Sequence, residues 1–258
     1  MMDAVCIAHR GASGKGHAPE NTLSAFRKAM AIGVDAVECD VHCTKDGHVV
    51  IIHDNNLKRT TNMDGVITEM ALSEVKKADA GAWFDSRFAG ETIPTLKELL
   101  EMTRGKVITV VEIKQGGIAD KVIKDIEDTG SVGEVVLISF HASALRDAQE
   151  INPRIPRALL IGGVGPASEH SSILNLIQSA AEVGAGTLDL YKNIITPQLV
   201  KEARLRGIGV WAWTVDDEAE IKKLLEIGVT GITSNYPERV RSAFLKCRGH
   251  VSENSPMG

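Results

Sequence analysis

The sequence predicts an α/β protein folded as a TIM-type (β/α)8 barrel, with a small insertion after the second barrel strand. Three observations lead to this prediction. Eight apolar, strand-like runs recur along the 258 residues, and an amphipathic segment follows each one. A glycine repeatedly separates a helical segment from the next strand. The chain also has about the length that eight βα units require.

The glycine pattern is clearest at Gly33, Gly184, Gly207 and Gly228, as in AMAIGVDAVE and KKLLEIGVTGIT. Each glycine stands where a helix needs a left-handed residue to end, and an apolar run begins at once. Helices and strands that alternate with such short links favour parallel strands joined by crossover helices.

Each predicted element is an apolar run or an amphipathic segment of suitable length. The predicted strands lie near residues 4–9, 36–42, 107–114, 135–140, 157–161, 186–190, 208–213 and 230–233. The predicted helices lie near residues 22–32, 95–103, 118–128, 142–150, 172–182, 197–206 and 217–227, with a last one from 237.

Three segments stand outside the alternation of strands and helices. The turn-like TKDGH leads into residues 48–53, which predict an extra strand leaving the barrel mouth. Residues from 54 to about 93 are expected to form an inserted subregion. We therefore expect one domain over residues 1–247, followed by a polar tail at 248–258 that frays.

The composition excludes several classes of protein. The chain is 43% hydrophobic with a net charge of −5, and its lysines and arginines are dispersed, so a nucleic-acid partner is not expected. No apolar run reaches the roughly 18 residues of a membrane span. The start MMDAVCIAHRG lacks a cationic leader, which predicts a cytoplasmic protein. The sequence does not indicate an oligomeric state.

The four cysteines do not predict a disulfide framework or a zinc site. Cys6, Cys39, Cys43 and Cys247 are too few and too strand-embedded to cross-link the fold. Cys39 and Cys43 resemble half a zinc site by spacing. Their outward parity on the second strand favours packing in the core instead.

Residues 35–54, DAVECDVHCTKDGHVVIIHD, carry the most informative pattern in the chain. Glu38 and Asp40 are two apart in an apolar strand, so both carboxylates lie on one face, with His42 beside them. The extra strand ends at His53. An apolar strand with two acids on one face predicts a functional site.

Other strand ends add polar side chains at the same edge. His9 and Arg10 follow the first strand, and Glu112 and Lys114 close the third, VITVVEIK. Residues at the carboxyl ends of barrel strands line the site in this architecture. Three carboxylates, two imidazoles and two cations are therefore expected to converge.

A divalent metal is the favoured explanation for the three carboxylates. Two of them about 4 Å apart repel by ~4 kcal/mol at an effective dielectric of 20. Together, Glu38, Asp40 and Glu112 would push at least one carboxyl group towards its neutral form unless a cation intervenes. Arg10 and Lys114 could supply that charge as structural ion pairs. Carboxylates on rigid strands suit Mg²⁺ or Ca²⁺, which would leave the two side chains to bind an anionic substrate.

Histidines beside such a site are candidates for proton transfer. His9 and His53 are predicted to act as a general acid and a general base, because imidazole titrates near neutrality. His42 is a weaker candidate for a supporting position. Trp211 is expected to fill the barrel, whereas Trp213, nearer its strand end, could pack on the substrate alcohol.

The segment GASGKGHAPENTLSAF, residues 11–26, is a loop that leads into the first helix. Asn21 or Thr22 is expected to cap that helix. A glycine-rich loop and a helix N-terminus can hold a phosphate oxygen, but the signal is weak. Glu20 could brace the loop or reach the metal.

These motifs together resemble those of the glycerophosphodiester phosphodiesterase family. The resemblance covers nearly the whole chain and implies a TIM barrel that uses a divalent metal to hydrolyse glycerophosphodiesters to an alcohol and glycerol 3-phosphate. The matching motifs, in order, are HRG, PENT, ECDVHCTKDGHVVIIHD, RTT at 59–61, IPTL, VEIK, SF at 139–140, WTV at 213–215 and GVTGITSNYP.

The resemblance also implies roles for particular positions. It implies that residues 54 to about 93 correspond to the family's characteristic insertion. By position, His9 and His53 match the family's catalytic pair, Glu38, Asp40 and Glu112 match its metal ligands, and Arg10 and Lys114 match the residues that engage phosphate.

The chain departs from the family pattern at three places. The loop between Gly11 and Pro19 is longer than usual, Asn235 stands where an acid is common, and Asp216 stands where asparagine is common. These departures bear on substrate preference rather than on the chemistry.

Several alternatives remain open from the sequence alone. The sequence does not decide which histidine is the general acid and which is the general base. It also does not decide whether the nucleophile is water or the glycerol's own hydroxyl. A phospholipase-like relative acting on lysophospholipids is a second hypothesis, which the 4% aromatic content disfavours. A non-catalytic barrel that binds phosphodiesters is a third.

Overall fold

A closed barrel of eight parallel strands is the centre of the computed structural model, which describes residues 4–163, 165–167 and 169–252. The barrel closes where the first strand pairs with the second, in parallel. This confirms the predicted fold class. The strands are β1 (Val5–Ala8), β2 (Ala36–Cys43), β3 (Val49–Ile51), β4 (Ile108–Ile113), β5 (Val135–Ser139), β6 (Arg157–Ile161), β7 (Thr187–Tyr191), β8 (Gly209–Trp213) and β9 (Gly231–Ser234).

Helices lie between successive barrel strands and after the last one, as the alternating pattern predicts. They are α1 (Leu23–Ile32), α2 (Leu72–Val75), α3 (Leu96–Thr103), α4 (Ala119–Asp128), α5 (Ala142–Ile151), α6 (His170–Glu182), α7 (Pro197–Leu205), α8 (Glu218–Glu226) and α9 (Pro237–Ser252). In the described part of the chain, none of them combines the length and apolar composition needed to cross a bilayer.

The last helix differs from the predicted tail. α9 continues through Ser252, past the expected boundary at 247. The rest of the predicted tail, residues 253–258, lies outside the described residues.

Helix ends follow the glycine rule at all four predicted positions. Gly33 ends α1 with φ 82°, and its backbone N–H donates to the carbonyl of Met30. Gly184, Gly207 and Gly228 also have positive φ values. A side chain would be strained in this left-handed conformation, so glycine ends each helix and lets the next strand begin immediately.

The extra strand β3 and the segment after it form a subregion beside the barrel mouth. β3 is antiparallel to β2, with Val41 opposite Ile51. The following chain contains α2 and short 3-10 turns at Ile67–Glu69 and Ser86–Phe88. It packs on a small apolar cluster of its own, made of Val50, Ile52, Leu57, Ile67, Val75, Ala78, Ala80 and Ile93.

Strand parity divides the core into two layers. Outward side chains such as Val37 and Val41 pack against the helices, and Cys39 and Cys43 lie among them as buried free thiols, as predicted. Inward side chains fill the barrel floor, where Trp211 is only 9% exposed. The prediction that Trp211 fills the barrel is therefore confirmed.

Candidate active site

A cavity of about 110 Å³ opens at the carboxyl ends of the barrel strands. It contains seven of the eight residues that the sequence singles out for the site, and the eighth, Asp40, lies directly behind Arg10 and Lys114. The lining residues are His9, Arg10, Glu38, His53, Glu112, Lys114, Ile138, Phe140, Leu160, Asp189, Trp213, Thr214 and Thr233.

Three buried carboxylates form one cluster on neighbouring strands. Asp40 on β2 pairs in register with Glu112 on β4, and Glu38 lies two residues before Asp40 on the same face. One oxygen from each of the three lies within 4.8 Å of the others. Their exposures are 2% for Glu38, 0% for Asp40 and 8% for Glu112. The cluster is therefore shielded from the water that would screen its charges.

Two cations contact this acid cluster from its rim. Lys114 Nζ lies 2.9 Å from Glu112 Oε1 and 3.5 Å from Asp40 Oδ1. Arg10 Nε lies 3.2 Å from Asp40 Oδ2. The structural ion pairs considered as an alternative to a metal are thus present, and both centre on Asp40.

The cations do not neutralise the whole cluster. Burial, followed by the charges of Asp40 and Glu112, raises the pKa of Glu38 well above its usual range. Burial and Asp40 raise the pKa of Glu112 to about 7. Burial also acts to raise the pKa of Asp40, but Arg10 and Lys114 outweigh it and lower that pKa to about 2. Asp40 is thus the stable anion, and full ionisation of all three needs more positive charge.

The acid cluster fits a hard divalent cation. Glu38 Oε1 and Asp40 Oδ1 are buried and have no hydrogen-bond partner within the described chain, although Lys114 Nζ lies 3.5 Å from Asp40 Oδ1. Carboxylate oxygens without a hydrogen bond are costly in a buried site. Three rigidly held oxygen donors are also the ligand type that Mg²⁺ and Ca²⁺ prefer. The donor set therefore matches the predicted metal class.

The loop after β1 is held to the acid cluster by backbone and amide groups. Arg10 N donates to Glu38 Oε2 at 2.8 Å, and Asn21 Nδ2 donates to Asp40 Oδ2 at 2.8 Å. Arg10 and Asn21 have positive φ values of 54° and 58°. Thr22, not Asn21, caps α1 by accepting from Ala25 N. Asn21 is therefore free to fix a carboxylate, at the expense of backbone strain.

His9 is held by an amide that is itself held by an acid. His9 Nδ1 lies 2.7 Å from Asn235 Oδ1, and Asn235 Nδ2 donates to Asp216 Oδ2 at 2.7 Å. Both Asp216 oxygens accept hydrogen bonds, so the amide nitrogen of Asn235 faces Asp216 and its amide oxygen faces His9. His9 Nδ1 therefore carries a proton, and its Nε2 is the unprotonated nitrogen when the ring is neutral.

The protonation of His9 follows from its surroundings. Burial, followed by the charge of Arg10, lowers the pKa of His9 to about 4. The ring is therefore neutral at neutral pH, with a lone pair on Nε2. Asn235 and Asp216, seen in the sequence only as separate departures from a family pattern, are direct partners here.

His53 has a different partner from His9. Its Nδ1 lies 2.6 Å from Asp54 Oδ1, and Arg59 Nε donates to Asp54 Oδ2 at 2.8 Å. The hydrogen bond from Arg59 is the main reason why the pKa of Asp54 lies below its usual range. His42 Nε2 lies 3.1 Å from the His53 carbonyl oxygen, so it supports the backbone of His53. His53 thus contacts a carboxylate whose ionised form is stabilised by Arg59.

Glu20 braces the two arginines. It accepts from Arg59 at 2.9 and 2.8 Å and from Arg10 at 2.8 Å. Its carboxylate is not part of the acid cluster. Of the two roles left open by the sequence, bracing is the one observed.

Sequence reasoning missed the partners of both histidines. Asp54 directly follows His53, and this adjacency was the available signal. Arg59 and Asn235 lie in motifs that were recognised, but their contacts depend on how distant loops fold. Asp189, an acid between Leu188 and Leu190 on a strand, carried a parity signal that was not used.

An aromatic and apolar wall forms the side of the cavity away from the acids. The Trp213 ring lies 5.5 Å from the Phe140 ring and 5.3 Å from the Tyr191 ring, centroid to centroid. Trp213 Nε1 donates to the carbonyl of Asp189 at 3.1 Å. Trp213 thus reaches the cavity wall, where its predicted contact with a substrate alcohol is possible.

Comparisons with known proteins agree with this geometry. A sequence model described as the glycerophosphoryl diester phosphodiesterase family matches residues 9–239. A glycerophosphodiester phosphodiesterase of Caldanaerobacter subterraneus is 37% identical over 243 residues, which cover 92% of this chain and 96% of that protein.

Solved structures are similar over the same extent. A glycerophosphodiester phosphodiesterase of Agrobacterium tumefaciens superposes with a TM-score of 0.80 at 28% identity, covering 94% of this chain and 100% of the other. An Oleispira antarctica phosphodiesterase in complex with the product sn-glycerol-3-phosphate gives a TM-score of 0.81 at 32% identity, covering 92% of this chain and 95% of the other.

Proposed function

This chain belongs to the glycerophosphoryl diester phosphodiesterase family, and from that premise we propose that it hydrolyses glycerophosphodiesters to sn-glycerol 3-phosphate and an alcohol. The observation that carries the proposal is one small cavity in which two histidines with different partners face a buried acid cluster and two cations. The similar phosphodiesterase solved with sn-glycerol-3-phosphate supports the same product.

Glu38, Asp40 and Glu112 are the residues that would hold a divalent ion in this proposal. When bound, the ion supplies positive charge that offsets the negative charge of the phosphodiester. Arg10 and Lys114 contact the acid cluster from the rim of the cavity, so their remaining N–H groups can bind the non-bridging phosphate oxygens. This arrangement would hold the phosphorus atom between His9 and His53.

His9 is the proposed general base. Its Nδ1–H is fixed by Asn235, and burial keeps the ring neutral, so Nε2 can accept a proton from the attacking hydroxyl. The attacking oxygen then forms its bond to phosphorus. The nucleophile is either water or the neighbouring glyceryl hydroxyl, and the second route gives a cyclic phosphate that water opens in a later step.

His53 is the proposed general acid. The bond from phosphorus to the leaving oxygen breaks with its electron pair on oxygen, and that oxygen takes a proton from His53 Nε2. The Asp54 carboxylate at Nδ1 orients the ring and offsets the positive charge of its protonated form. Arg59 holds Asp54 in place and keeps it ionised.

The decisive experiment measures release of sn-glycerol 3-phosphate from a panel of glycerophosphodiesters, with lysophosphatidylcholine as the competing substrate. We expect turnover of the water-soluble diesters, loss of activity after chelation and recovery when Mg²⁺ or Ca²⁺ is added back. Glu38→Gln should lose at least about 10²-fold in rate, because even the loss of a residue that supports a metal ligand can cost that much.

Glu101→Gln is the matched control, since this exposed carboxylate lies on α3, outside the cavity. Its rate should equal that of the wild type. Preferential cleavage of lysophosphatidylcholine would favour the phospholipase-like alternative. Binding of diesters without any product release would favour a non-catalytic barrel.

A further inference from the structure

Asp189 is a buried carboxyl group with no part in the proposed mechanism. Its neighbours on β7, Leu188 and Leu190, face outwards into the layer between barrel and helices. The Asp189 side chain therefore points into the barrel. It lines the cavity, is 2% exposed, and its Oδ1 has no hydrogen-bond partner among the described residues.

The neighbours of Asp189 on the adjacent strands are apolar. Leu160 on β6 and Trp211 on β8 flank it in register, and Ile138 belongs to the same wall. An unpaired polar group is unfavourable in such a place, and a hydrophobic residue of similar volume would pack there without that cost. Asp189 therefore does not serve the packing of the barrel.

The chemistry of this carboxyl group suits an uncharged partner. Burial, followed by the charge of Glu112, raises the pKa of Asp189 well above its usual range. A neutral carboxyl group can donate one hydrogen bond and accept another. A hydroxyl group of a ligand has the same two capacities, so the two are complementary.

The position of Asp189 indicates which part of a substrate would reach it. β7 lies opposite β2 in the closed barrel, separated from it by β4, β5 and β6 on one side and by β1, β9 and β8 on the other. Asp189 thus faces Glu38 and Asp40 across the interior. A phosphate held on the β2 side would direct one of its two ester groups towards Asp189.

Trp211, in register beside Asp189 on β8, is buried in the apolar cluster inside the barrel, so a group next to Asp189 has to be small. In glycerophosphodiesters the small group common to all of them is glyceryl, whereas the second alcohol varies and needs the open mouth. We propose that Asp189 is a specificity-determining residue that hydrogen-bonds a free hydroxyl of the glyceryl group. This inference rests on the proposed function.

The test compares two diesters with the same leaving group. Glycerophosphoethanolamine is one, and propyl phosphoethanolamine, which lacks the glyceryl hydroxyls, is the other. Ethanolamine release gives kcat/KM for both, with Mg²⁺ present, for wild type, Asp189→Leu and Asp189→Asn. Leu188→Val is the matched control, because it alters the same strand on its outward face.

We expect the wild type to prefer the glyceryl diester, and Asp189→Leu to reduce that preference by about 10- to 100-fold. Asp189→Asn keeps a donor and an acceptor and should lose less. Leu188→Val should leave the preference unchanged. Inhibition by sn-glycerol 3-phosphate relative to propyl phosphate should weaken in Asp189→Leu by the same factor, in a measurement of binding alone.

Two results would overturn the inference. One is unchanged relative inhibition in Asp189→Leu, which decides the test even if the nucleophile is the glyceryl hydroxyl and the propyl diester cannot react. The other is an unchanged preference, or an equal loss on both diesters, when the wild type hydrolyses both. A third result separates the two proposals. If the wild type hydrolyses neither diester but still binds sn-glycerol 3-phosphate through Asp189, the proposed function is overturned, whereas the recognition of the glyceryl group by Asp189 is supported. Thermal unfolding of each variant separates these effects from misfolding.

Discussion

Replacing Asp216 with asparagine should invert the tautomer of His9 without changing the shape of the site. Asp216 Oδ1 accepts from the backbone N–H of Asn235 and from Ser234 Oγ, both at 2.9 Å. An asparagine at this position must keep its side-chain oxygen there. Its amide nitrogen then faces Asn235 Nδ2, and two donors meet.

Asn235 can relieve this conflict only by turning its amide over. Its oxygen would then accept from the new amide nitrogen at position 216, and its nitrogen would face His9 Nδ1. Ser13 Oγ, 2.9 Å from Asn235 Oδ1, can accept instead of donate, so it permits the change. His9 Nδ1 would become the acceptor and Nε2 would carry the proton. The proposed base would lose its lone pair at the reacting position.

The expected loss in kcat/KM is about 10²- to 10⁴-fold, the range for a misplaced or missing general base. Stability should fall by about 1–3 kcal/mol, because one charge-assisted hydrogen bond is lost. The assay is kcat/KM against pH, with thermal unfolding alongside. The tautomer itself is observable in the ¹⁵N chemical shifts of labelled His9.

The double exchange Asp216→Asn with Asn235→Asp is the matched rescue. The new carboxylate at position 235 would accept from His9 Nδ1 and from the new amide at position 216, which restores the original tautomer. A carboxylate beside His9 should also raise its pKa, so the acid limb of the profile should move up by about one pH unit or more. A single Asp216→Asn variant with near wild-type kcat/KM, or a double variant no better than it, would refute the reasoning.

The remaining predictions concern the acid and the metal-free protein. His53→Ala should lose about 10²-fold or more in rate while folding normally. A substrate whose leaving group has a low pKa should recover most of that loss, because such a group departs without a proton. Equal losses on substrates with good and with poor leaving groups would contradict the acid role. In protein stripped of divalent ions, stability should fall as pH rises from about 4.5 to about 7, because the pKa of Glu112 is about 7 in the folded chain and has its ordinary value of 4.5 in the unfolded chain. Thermal unfolding measured against pH reports this fall in stability. Glu112→Gln or added Mg²⁺ should make the stability less dependent on pH. An unfolding midpoint that does not change with pH would count against repulsion in the acid cluster.

The sequence predicted the barrel because its signals are local and repeated. A glycine such as Gly33 ends a helix by its own backbone freedom, and parity on a strand fixes which side chains share a face. Glu38 and Asp40 could therefore be placed together from their spacing alone. Glu112 could be placed near them as well, because it shares a face with Lys114 at the carboxyl end of its own barrel strand, and such ends line the site. The helix cap was less certain, since Asn21 and Thr22 are equally suited by chemistry.

Strand spacing alone predicts which groups gather at the barrel mouth: three acids, two cations and two histidines at strand ends. The partner of each group, in contrast, follows from the folded structure. His9 meets Asn235 from the opposite end of the chain, and Arg59 reaches back to Asp54 and Glu20. The physical reason is that period and spacing fix a side chain's direction within its own element, whereas a hydrogen bond between elements depends on how loops distant in sequence close over the same cavity.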